Sequence, residues 1–294
     1  MSYNLLQWAW RILSCIPLWM MYVLSDGIFY LLYYFVRYRR KVARKNLTES
    51  FPEKSEKEIV AIEKRFYRFF IDLMLEMSKL MSFSKKEMAK RMYFTNIEVL
   101  SEVLQQGKSV SLYMSHHGNW EWVSSLGMHL NRENKIVAGQ VYKALHNKNV
   151  DKLLIYNRER MGSVCVEMNQ TLRWIDNQVK NNVASLTCYV ADQSPRKSQI
   201  QHYVPFLHHC TPAFIGAEKI TKRYDFEAWY LDVRRIKRGY FEATFVRLHD
   251  DPKSLPDFEL TDIYYRHLEQ TIRRQPELYL WTHNRFKYAQ KLDE

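Results

Sequence analysis

The residues best suited to acid–base chemistry are His116 and Glu121, which have four residues between them in the stretch SHHGNWEW. The apolar run SVSLYM directly precedes this stretch and predicts a strand that ends at Ser115. If a helix begins near Asn119, His116 lies at the carboxyl edge of a sheet and Glu121 in the first helical turn. Gly118 permits the sharp turn between them. Active sites of open α/β sheets form at this edge, and the helix macrodipole stabilises a carboxylate at a helix start.

The chemistry that this pair suggests is base catalysis. Glu121 would hold the His116 imidazole in one tautomer and stabilise the imidazolium, while the other ring nitrogen removes a proton from an alcohol or amine. The nucleophile would then attack an activated carbonyl. A covalent acyl-enzyme is not indicated, because the stretch contains neither a GxSxG elbow nor a cysteine. The alternative is a structural role, with His116 as a hydrogen-bonded, half-buried side chain.

Cationic and hydroxyl groups follow later in the chain and could bind a substrate. Tyr142 and Lys143 come directly after a predicted strand, and Arg158 and Arg160 lie in the stretch NRERMG. Arginine offers bidentate recognition of phosphate, although structural ion pairs would use the same residues. Backbone N–H groups at the helix start near Asn119 could stabilise an oxyanion.

Alternating β-rich runs and helical patterns predict the fold that would position these groups. The predicted strands cover residues 109–114, 136–141, 164–167, 184–190, 227–233 and 240–246. Helical patterns near 120–130, 148–161 and 170–180 separate the first four strands. This alternation predicts an α/β fold with a mostly parallel central sheet flanked by helices.

Two further helix starts are predicted from local signals. Ser55 and Glu58 form a capping box ahead of apolar residues at helical spacing, which predicts a long amphipathic helix. Thr211 followed by Pro212 is typical of an N-cap with proline at the first helical position. The amino end of that helix could hold a phosphate or an oxyanion, or the helix could be an ordinary surface element.

The amino-terminal segment is apolar enough to associate with a membrane. Residues 12–36 carry Asp26 as their only charge, and a helix of that length would reach about 37 Å against about 30 Å of hydrocarbon. Pro17 and the Asp26–Gly27 pair could instead break it into two shorter helices that lie in one leaflet. The sequence leaves both arrangements open. We expect an anchor with its basic flank at 1–45 and a folded domain at 46–294.

Basic residues dominate the flank of this segment and the chain as a whole. The flank contains Arg37, Arg39, Arg40, Lys41, Arg44 and Lys45, which by the positive-inside rule places it in the cytoplasm, where it would bind anionic headgroups. With 44 Lys and Arg against 32 Asp and Glu, the net charge of +12 favours an anionic partner. A phospholipid surface and an acidic carrier protein both fit. Nucleic acid is not expected, because recognised RNA-binding signatures are absent.

Neither disorder nor a metal site is expected. The 47% apolar residues can bury a substantial core, and the four cysteines form no CxxC pair. His202, His208, His209 and Cys210 resemble a metal cluster in composition. Adjacent residues on a strand or turn point apart, however, and cannot all bind one ion.

Several stretches together resemble the bacterial lipid A biosynthesis acyltransferase family. HHGNWE is similar to the HxGNWE form of that family's HxxxxD/E motif, and YRRKVARKNLTESFPEKS resembles its arginine-rich entry into the first amphipathic helix. VYKALHNKNVDKLLIYNRERMG, ADQSP, VPFLHHCTPAFIGAEKITKR and QPELYLWTHNRFK resemble the later blocks in order. The resemblance extends from about residue 5 to about residue 288.

The resemblance implies acyl transfer to a hydroxyl of a lipid A precursor at the cytoplasmic face of a bacterial inner membrane. The co-substrate would be a thioester on acyl carrier protein or coenzyme A, with no resident cofactor. His116 takes the position of the base and Glu121 that of the orienting acid. Arg158 or Arg160 matches an arginine that contacts phosphate, and Asp192 in ADQ matches an aspartate at a strand end.

One departure from the family pattern concerns the acyl pocket, and three other functions stay open. Family members often place glycine after the PF pair, whereas this chain has His208 and His209 after Leu207. The acceptor could instead be a lysophospholipid or an aminolipid. A hydrolase using the same residues on water, and a non-catalytic peripheral membrane scaffold, are the remaining alternatives.

Overall fold

The computed structural model describes residues 2–130 and 136–290, and a seven-stranded sheet forms the centre of the molecule. The strands are β1 (Met92–Phe94), β2 (Val110–Met114), β3 (Ile136–Tyr142), β4 (Val164–Glu167), β5 (Ala184–Val190), β6 (Tyr203–Phe206), β7 (His209–Pro212), β8 (Glu227–Lys237) and β9 (Tyr240–His249). The order in the large sheet is β1-β9-β8-β2-β5-β3-β4, and β6 pairs with β7 in a separate hairpin. Within the large sheet β8 and β9 are antiparallel, and the other neighbours are parallel. The predicted α/β fold with a mostly parallel sheet is confirmed.

Helices surround this sheet. They are α1 (Tyr3–Cys15), α2 (Leu18–Tyr30), α3 (Arg40–Ser50), α4 (Glu56–Glu76), α5 (Lys85–Arg91), α6 (Ile97–Gln105), α7 (Lys148–Glu159), α8 (Thr171–Lys180), α9 (Gly216–Tyr224) and α10 (Glu259–Arg274). The capping box predicted from Ser55 and Glu58 is present at the start of α4. The helical pattern near 120–130 is a 3-10 helix, Trp122–Met128, and not an α-helix.

The six predicted strands are all present, and the last two extend further than predicted. The short strand β1 and the hairpin of β6 and β7 were not predicted. The predicted helix start at Thr211 and Pro212 is wrong, because both residues belong to β7 and α9 begins only at Gly216. Thr211 pairs with Val204 across the hairpin, and its hydroxyl accepts a hydrogen bond from Arg285 Nη1 at 2.7 Å. The hydroxyl therefore does not cap a helix.

The amino-terminal segment forms two helices that are separated at Pro17. The chain stays helical through Asp26 and Gly27, and from Leu18 to Val36 it is long and apolar enough to cross a membrane by length and composition. Residue 45 lies within α3. The division into 1–45 and 46–294 remains a prediction.

Strand β2 is the rigid element that carries the candidate site. Every residue of β2 is buried, and alternate side chains enter two different hydrophobic clusters. Val110, Leu112 and Met114 pack in one cluster, and Tyr113 packs in the other. Because alternate residues of a strand point to opposite faces, the two clusters cover the two faces of the sheet here. The carboxyl end of β2 is therefore fixed from both sides.

Candidate active site

His116 and Asp192 meet at the carboxyl edge of the sheet because of the register between β2 and β5. These strands are parallel, and Met114 pairs with Val190 at their ends. His116 lies two residues after Met114, and Asp192 lies two residues after Val190. Both therefore lie just beyond the ends of adjacent strands. The His116 Nδ1 atom lies 2.8 Å from Asp192 Oδ1, and the backbone N–H of His116 donates to the same oxygen at 3.2 Å. The aspartate therefore holds both the ring and the backbone of the histidine.

Asp192 is a buried carboxylate, with 1% of its side chain exposed. Burial by itself raises its pKa, but attraction to His116 and hydrogen bonds from that residue more than offset this effect, and the pKa is lowered. Tyr279 also contacts the carboxylate through its side chain. An ionised Asp192 accepts the Nδ1–H of His116, and in that tautomer the lone pair of the ring lies on Nε2.

The Nε2 side of the His116 ring is the side that a substrate could reach. The side chain of His116 is 20% exposed. The amide nitrogen of Gln193 lies 3.3 Å from Nε2 and 3.4 Å from Nδ1, and the Trp120 ring stands edge-on at 5.1 Å. A hydroxyl that replaced the Gln193 amide could donate its proton to Nε2.

The Glu121 carboxylate binds Arg158 and not His116, which differs from the prediction made from the sequence. Its carboxylate forms a bidentate pair with Arg158, with Oε2 at 2.9 Å from Nε and Oε1 at 2.7 Å from Nη2. In the described part of the chain, the side-chain hydrogen bonds of His116 go to Asp192 and Gln193. The contact with His116 that we predicted for Glu121 is therefore made by Asp192. Burial lowers the pKa of Arg158, but the adjacent Glu121 carboxylate raises it by a larger amount. The net pKa is raised, so the guanidinium stays charged.

The buried side chain of Asn119 stabilises the turn between His116 and Glu121 by hydrogen bonds and is not accessible to a substrate. It is fully buried, its Oδ1 accepts from the Trp122 N–H at 3.1 Å, and its Nδ2 donates to Glu76 Oε2 at 2.8 Å. The Trp122 indole donates to the backbone oxygen of Glu76 at 3.0 Å. Gly118 has a φ of +68°, and a Cβ there would lie 2.6 Å from a Val233 methyl group. The turn therefore requires glycine at this position.

The remaining predicted binding residues lie in two different settings. Arg160 is exposed, and its Nη1 donates to the backbone oxygens of Leu80 at 2.8 Å and Phe83 at 3.2 Å. Tyr142, at the end of β3, is half-buried and lies near Arg158, and burial raises its pKa. Lys143 is exposed.

The residues that sequence reasoning considered as a metal cluster are engaged elsewhere. His202 Nε2 lies 2.6 Å from Asp262 Oδ1, and the ring stacks on Phe258. His209 stacks on Phe286 with ring centroids 3.8 Å apart. No group of three His, Cys, Asp or Glu side chains within 2–130 and 136–290 could hold a metal ion.

A comparison with protein families places this site in a known context. The model of the bacterial lipid A biosynthesis acyltransferase family matches residues 3–288, nearly the whole chain. The chain belongs to this family. It is therefore a transferase of acyl groups, and the resemblance stated from the sequence motifs is confirmed. A comparison with curated proteins finds no match.

Three residues around this lipid A acyltransferase-family site were not predicted. Tyr279 contacts Asp192, and the segment that carries it is hydrogen-bonded to the turn, with Leu280 N–H donating to the His116 oxygen at 3.1 Å. Tyr264 caps the end of β2 by donating to the Met114 oxygen at 2.8 Å. Glu76 lies more than forty residues before the turn in sequence, at the end of an amphipathic helix. The sequence gives no local signal for such distant contacts, apart from acids at apolar positions of α4.

Proposed function

We propose that this protein transfers a fatty acyl chain from an acyl thioester to a hydroxyl of a phosphorylated lipid A precursor, with His116 as the general base and Asp192 as the residue that orients it. The supporting observation is the buried Asp192 carboxylate at 2.8 Å from His116 Nδ1, at the carboxyl edge of the sheet. This arrangement directs the ring lone pair toward Nε2. It is the arrangement that proton removal from an acceptor hydroxyl requires.

The proposed reaction forms a C–O bond and breaks a C–S bond. The acceptor hydroxyl replaces the Gln193 amide beside Nε2, gives its proton to His116 and attacks the thioester carbonyl. The tetrahedral intermediate then expels the thiolate, which takes the proton back from the imidazolium. Asp192 stabilises the imidazolium while it exists. No covalent enzyme intermediate is needed.

The oxyanion of that intermediate would lie near the turn that follows His116. The N–H groups of Gly118 and Trp122 are already bonded to Leu278 O and to Asn119. Those of residues 119–121 donate no hydrogen bond to the described part of the chain. We assign these amides to the oxyanion, an interaction worth about 3 kcal/mol for each donor.

Arg158 is the best candidate for contact with a phosphate. A guanidinium has five N–H donors, and the Glu121 carboxylate engages those on Nε and Nη2. Glu121 thereby fixes the plane of the guanidinium, and we propose that Nη1, which Glu121 does not engage, contacts the phosphate. We propose Arg158 over Arg160 for the family position because Arg158 pairs with Glu121 of the HxxxxE stretch, whereas Arg160 donates to backbone oxygens.

The partners follow from charge and from the apolar segment. A net charge of +12 attracts the acidic acyl carrier protein or the phosphates of coenzyme A, and it also attracts phosphorylated lipids. The apolar helix from Leu18 to Val36 supports association with a membrane. We propose that the protein acts at the cytoplasmic face of a bacterial inner membrane. We propose no nucleic-acid partner and no resident cofactor.

The test is an acyl-transfer assay with the full chain in detergent. Labelled acyl carrier protein and labelled acyl coenzyme A are each incubated with a lipid A precursor, a lysophospholipid and an aminolipid, and the products are identified by mass spectrometry. We expect the lipid A precursor to be acylated fastest. Transfer only to a lysophospholipid or an aminolipid would replace the acceptor, and release of fatty acid without an acceptor would indicate a hydrolase. No turnover of any thioester, with lipid binding intact, would favour a scaffold.

A further inference from the structure

One face of the apolar helix α2 is bonded to charged residues of α4. The Tyr22 hydroxyl donates to Glu76 Oε1 at 2.7 Å, and the Ser25 hydroxyl donates to Asp72 Oδ1 at 2.6 Å. Glu76 and Asp72 are both buried, and burial raises the pKa of Glu76 to about 7. The Tyr22 and Ser25 hydroxyls of α2 thus have hydrogen-bond partners within the folded domain.

These contacts continue along the whole length of the helix. The Arg68 guanidinium lies 4.6 Å from the centre of the Phe29 ring, and the Tyr33 and Tyr67 rings meet edge-on at 5.4 Å. As the residue numbers rise along α2 they fall along α4, so the two helices run antiparallel. Beyond the end of the apolar stretch, α3 is joined to Glu63 of α4 by ion pairs.

The one charged residue of the apolar stretch is also held by the domain. Asp26 pairs with Arg238, at the turn between β8 and β9, with 3.0 Å between Oδ1 and Nη2. The same guanidinium binds Asp72 at 2.6 Å. Gly239 packs directly against α2, because a Cβ at this position would lie 2.1 Å from the Tyr22 hydroxyl. Helix α2 is therefore held by contacts with the turn between β8 and β9 in addition to its contacts with α4.

The opposite face of α2, together with a face of α1, is exposed and apolar. Along α1 and the helical stretch Leu18–Val36, the large exposed side chains are Leu5, Trp8, Ile12, Trp19, Met20, Val23, Leu24, Tyr30, Leu31, Tyr34, Phe35 and Val36. Two of them are tryptophans, which favour the interface between lipid and water. Helix α1 is held in place at its end, because Lys79 Nζ donates to the Ser14 oxygen at 2.7 Å.

A basic cluster lies at one end of this apolar face. It consists of Arg37, Arg39, Arg40, Lys41 and Arg44, which line a common cavity where the apolar helix ends. Arg37 and Arg39 have φ values of +52° and +49°, an unfavourable conformation for residues with a Cβ. This double turn keeps the basic cluster beside the apolar face. Arg40 and Arg44 pair with Glu63, and the positive charge that remains on the cluster complements anionic headgroups.

We infer that the Leu18–Val36 helix does not cross the membrane, and that its exposed face and the exposed face of α1 embed in one leaflet while the basic cluster binds anionic headgroups. Crossing would surround the helix with hydrocarbon. The polar groups on its inner face would then lose their partners, or would bring the charged side chains of α4 and Arg238 into the bilayer, which is costly. Embedding one face keeps every one of these contacts.

A cross-linking experiment in membranes tests this inference. The full chain carries S25C and D72C in a background with C15S, C165S and C210S, and Cys188 is kept because it is buried. Disulfide formation between the two cysteines is induced with copper phenanthroline in membranes and in detergent, because the two side chains are in direct contact and are too buried for a larger reagent. Each single-cysteine variant serves as the control for non-specific linkage. We expect intramolecular linkage in both settings. Linkage in detergent alone, or in neither setting, would overturn the inference.

A second measurement examines the outer face. Val23 is 67% exposed on α2, and Val179 is 44% exposed on α8. Flotation with vesicles of phosphatidylethanolamine and phosphatidylglycerol should show at least tenfold weaker binding for V23E, whereas the matched control V179E should bind like the unaltered chain. Equal binding of V23E and V179E would contradict the assignment of this face to lipid.

The inference rests on the proposed function at a membrane, but its readouts do not involve catalysis. Cross-linking with no acyl transfer would reject the proposed function and leave the membrane arrangement standing. Acyl transfer by a protein that fails to cross-link would support the proposed function and reject the membrane arrangement.

Discussion

His116 and His117 are neighbours in the chain, but they lie in opposite environments. His116 is partly exposed, and a carboxylate holds its Nδ1. His117 is 1% exposed, with Nδ1 at 3.1 Å from the Val233 oxygen and Nε2 at 3.0 Å from the Gln275 oxygen. Burial lowers the pKa of His117 to about 4, so this ring is neutral at physiological pH.

The difference shows what makes a histidine available for chemistry. Both nitrogens of His117 face backbone oxygens, so neither can take a proton from a substrate. This ring links the turn to β8 and to the residue that follows α10, Gln275. His116 points to the other side, where Asp192 binds one nitrogen and a replaceable amide covers the other. A carboxylate partner and an accessible nitrogen together distinguish the two.

The largest expected effect is that of H116A on acyl transfer. Removing the base should lower kcat by about 10³-fold, within the range of general-base catalysis. The measurement is steady-state transfer from acyl carrier protein to the acceptor identified in the assay above. H202A is the matched control, because His202 also pairs with an aspartate but lies outside the site. H202A should retain normal kcat, and a normal kcat in H116A would show that His116 is not the base.

D192N should have the next largest effect. Asparagine has the same shape as aspartate, but it cannot stabilise the imidazolium, and we expect kcat to fall by about 10²-fold with little change in KM. The matched comparison is D262N at the His202 pair, which should leave kcat unchanged. A D192N enzyme with unaltered kcat would indicate that the orienting contact has no part in the reaction.

R158K should have a smaller effect that concerns binding more than chemistry. Lysine keeps the charge but loses the bidentate pair with Glu121, so the KM for a phosphorylated acceptor should rise by about tenfold. R160K is a suitable control, because the side chain of Arg160 donates to backbone oxygens and not to Glu121 in the part of the chain that the structure describes. A lower kcat with unchanged KM in R158K would move Arg158 from acceptor binding to stabilisation of the transition state.

Local sequence patterns predicted the strands and the position of His116, but they did not predict its partner. Alternation of apolar residues is a short-range signal, and the strands it predicts are present in the structure. The partner of His116 depends on the pairing of Met114 with Val190, which joins segments far apart in the chain. The short spacing between His116 and Glu121 favours a contact between them, but the Glu121 side chain binds Arg158 on α7. The contact of Asn119 with Glu76 is equally non-local.

The smallest effect on catalysis is expected for H117Q, where the change should appear in stability. The pKa of His117 is about 4 in the folded protein against 6.5 for the free side chain, so below pH 6.5 the unfolded chain binds a proton that the folded protein excludes. The contribution of this residue to the free energy of unfolding is therefore complete above pH 6.5. It falls by up to about 3 kcal/mol as the pH drops to 4.

H117Q removes this titration, and denaturant unfolding in detergent at pH 7.5, 5.5 and 4.5 would measure the result. At pH 7.5 the variant should be less stable by about 1–2 kcal/mol, because one buried backbone oxygen loses its donor. Toward pH 4.5 the two stability curves should converge and then cross, since only the unaltered chain loses the His117 contribution and that loss of up to about 3 kcal/mol exceeds its advantage at pH 7.5. Parallel stability curves would mean that His117 has the same affinity for protons in both states. The surroundings of His117 would then not exclude a proton in the way that its burial and its two backbone partners indicate, and the contrast with His116 would not hold.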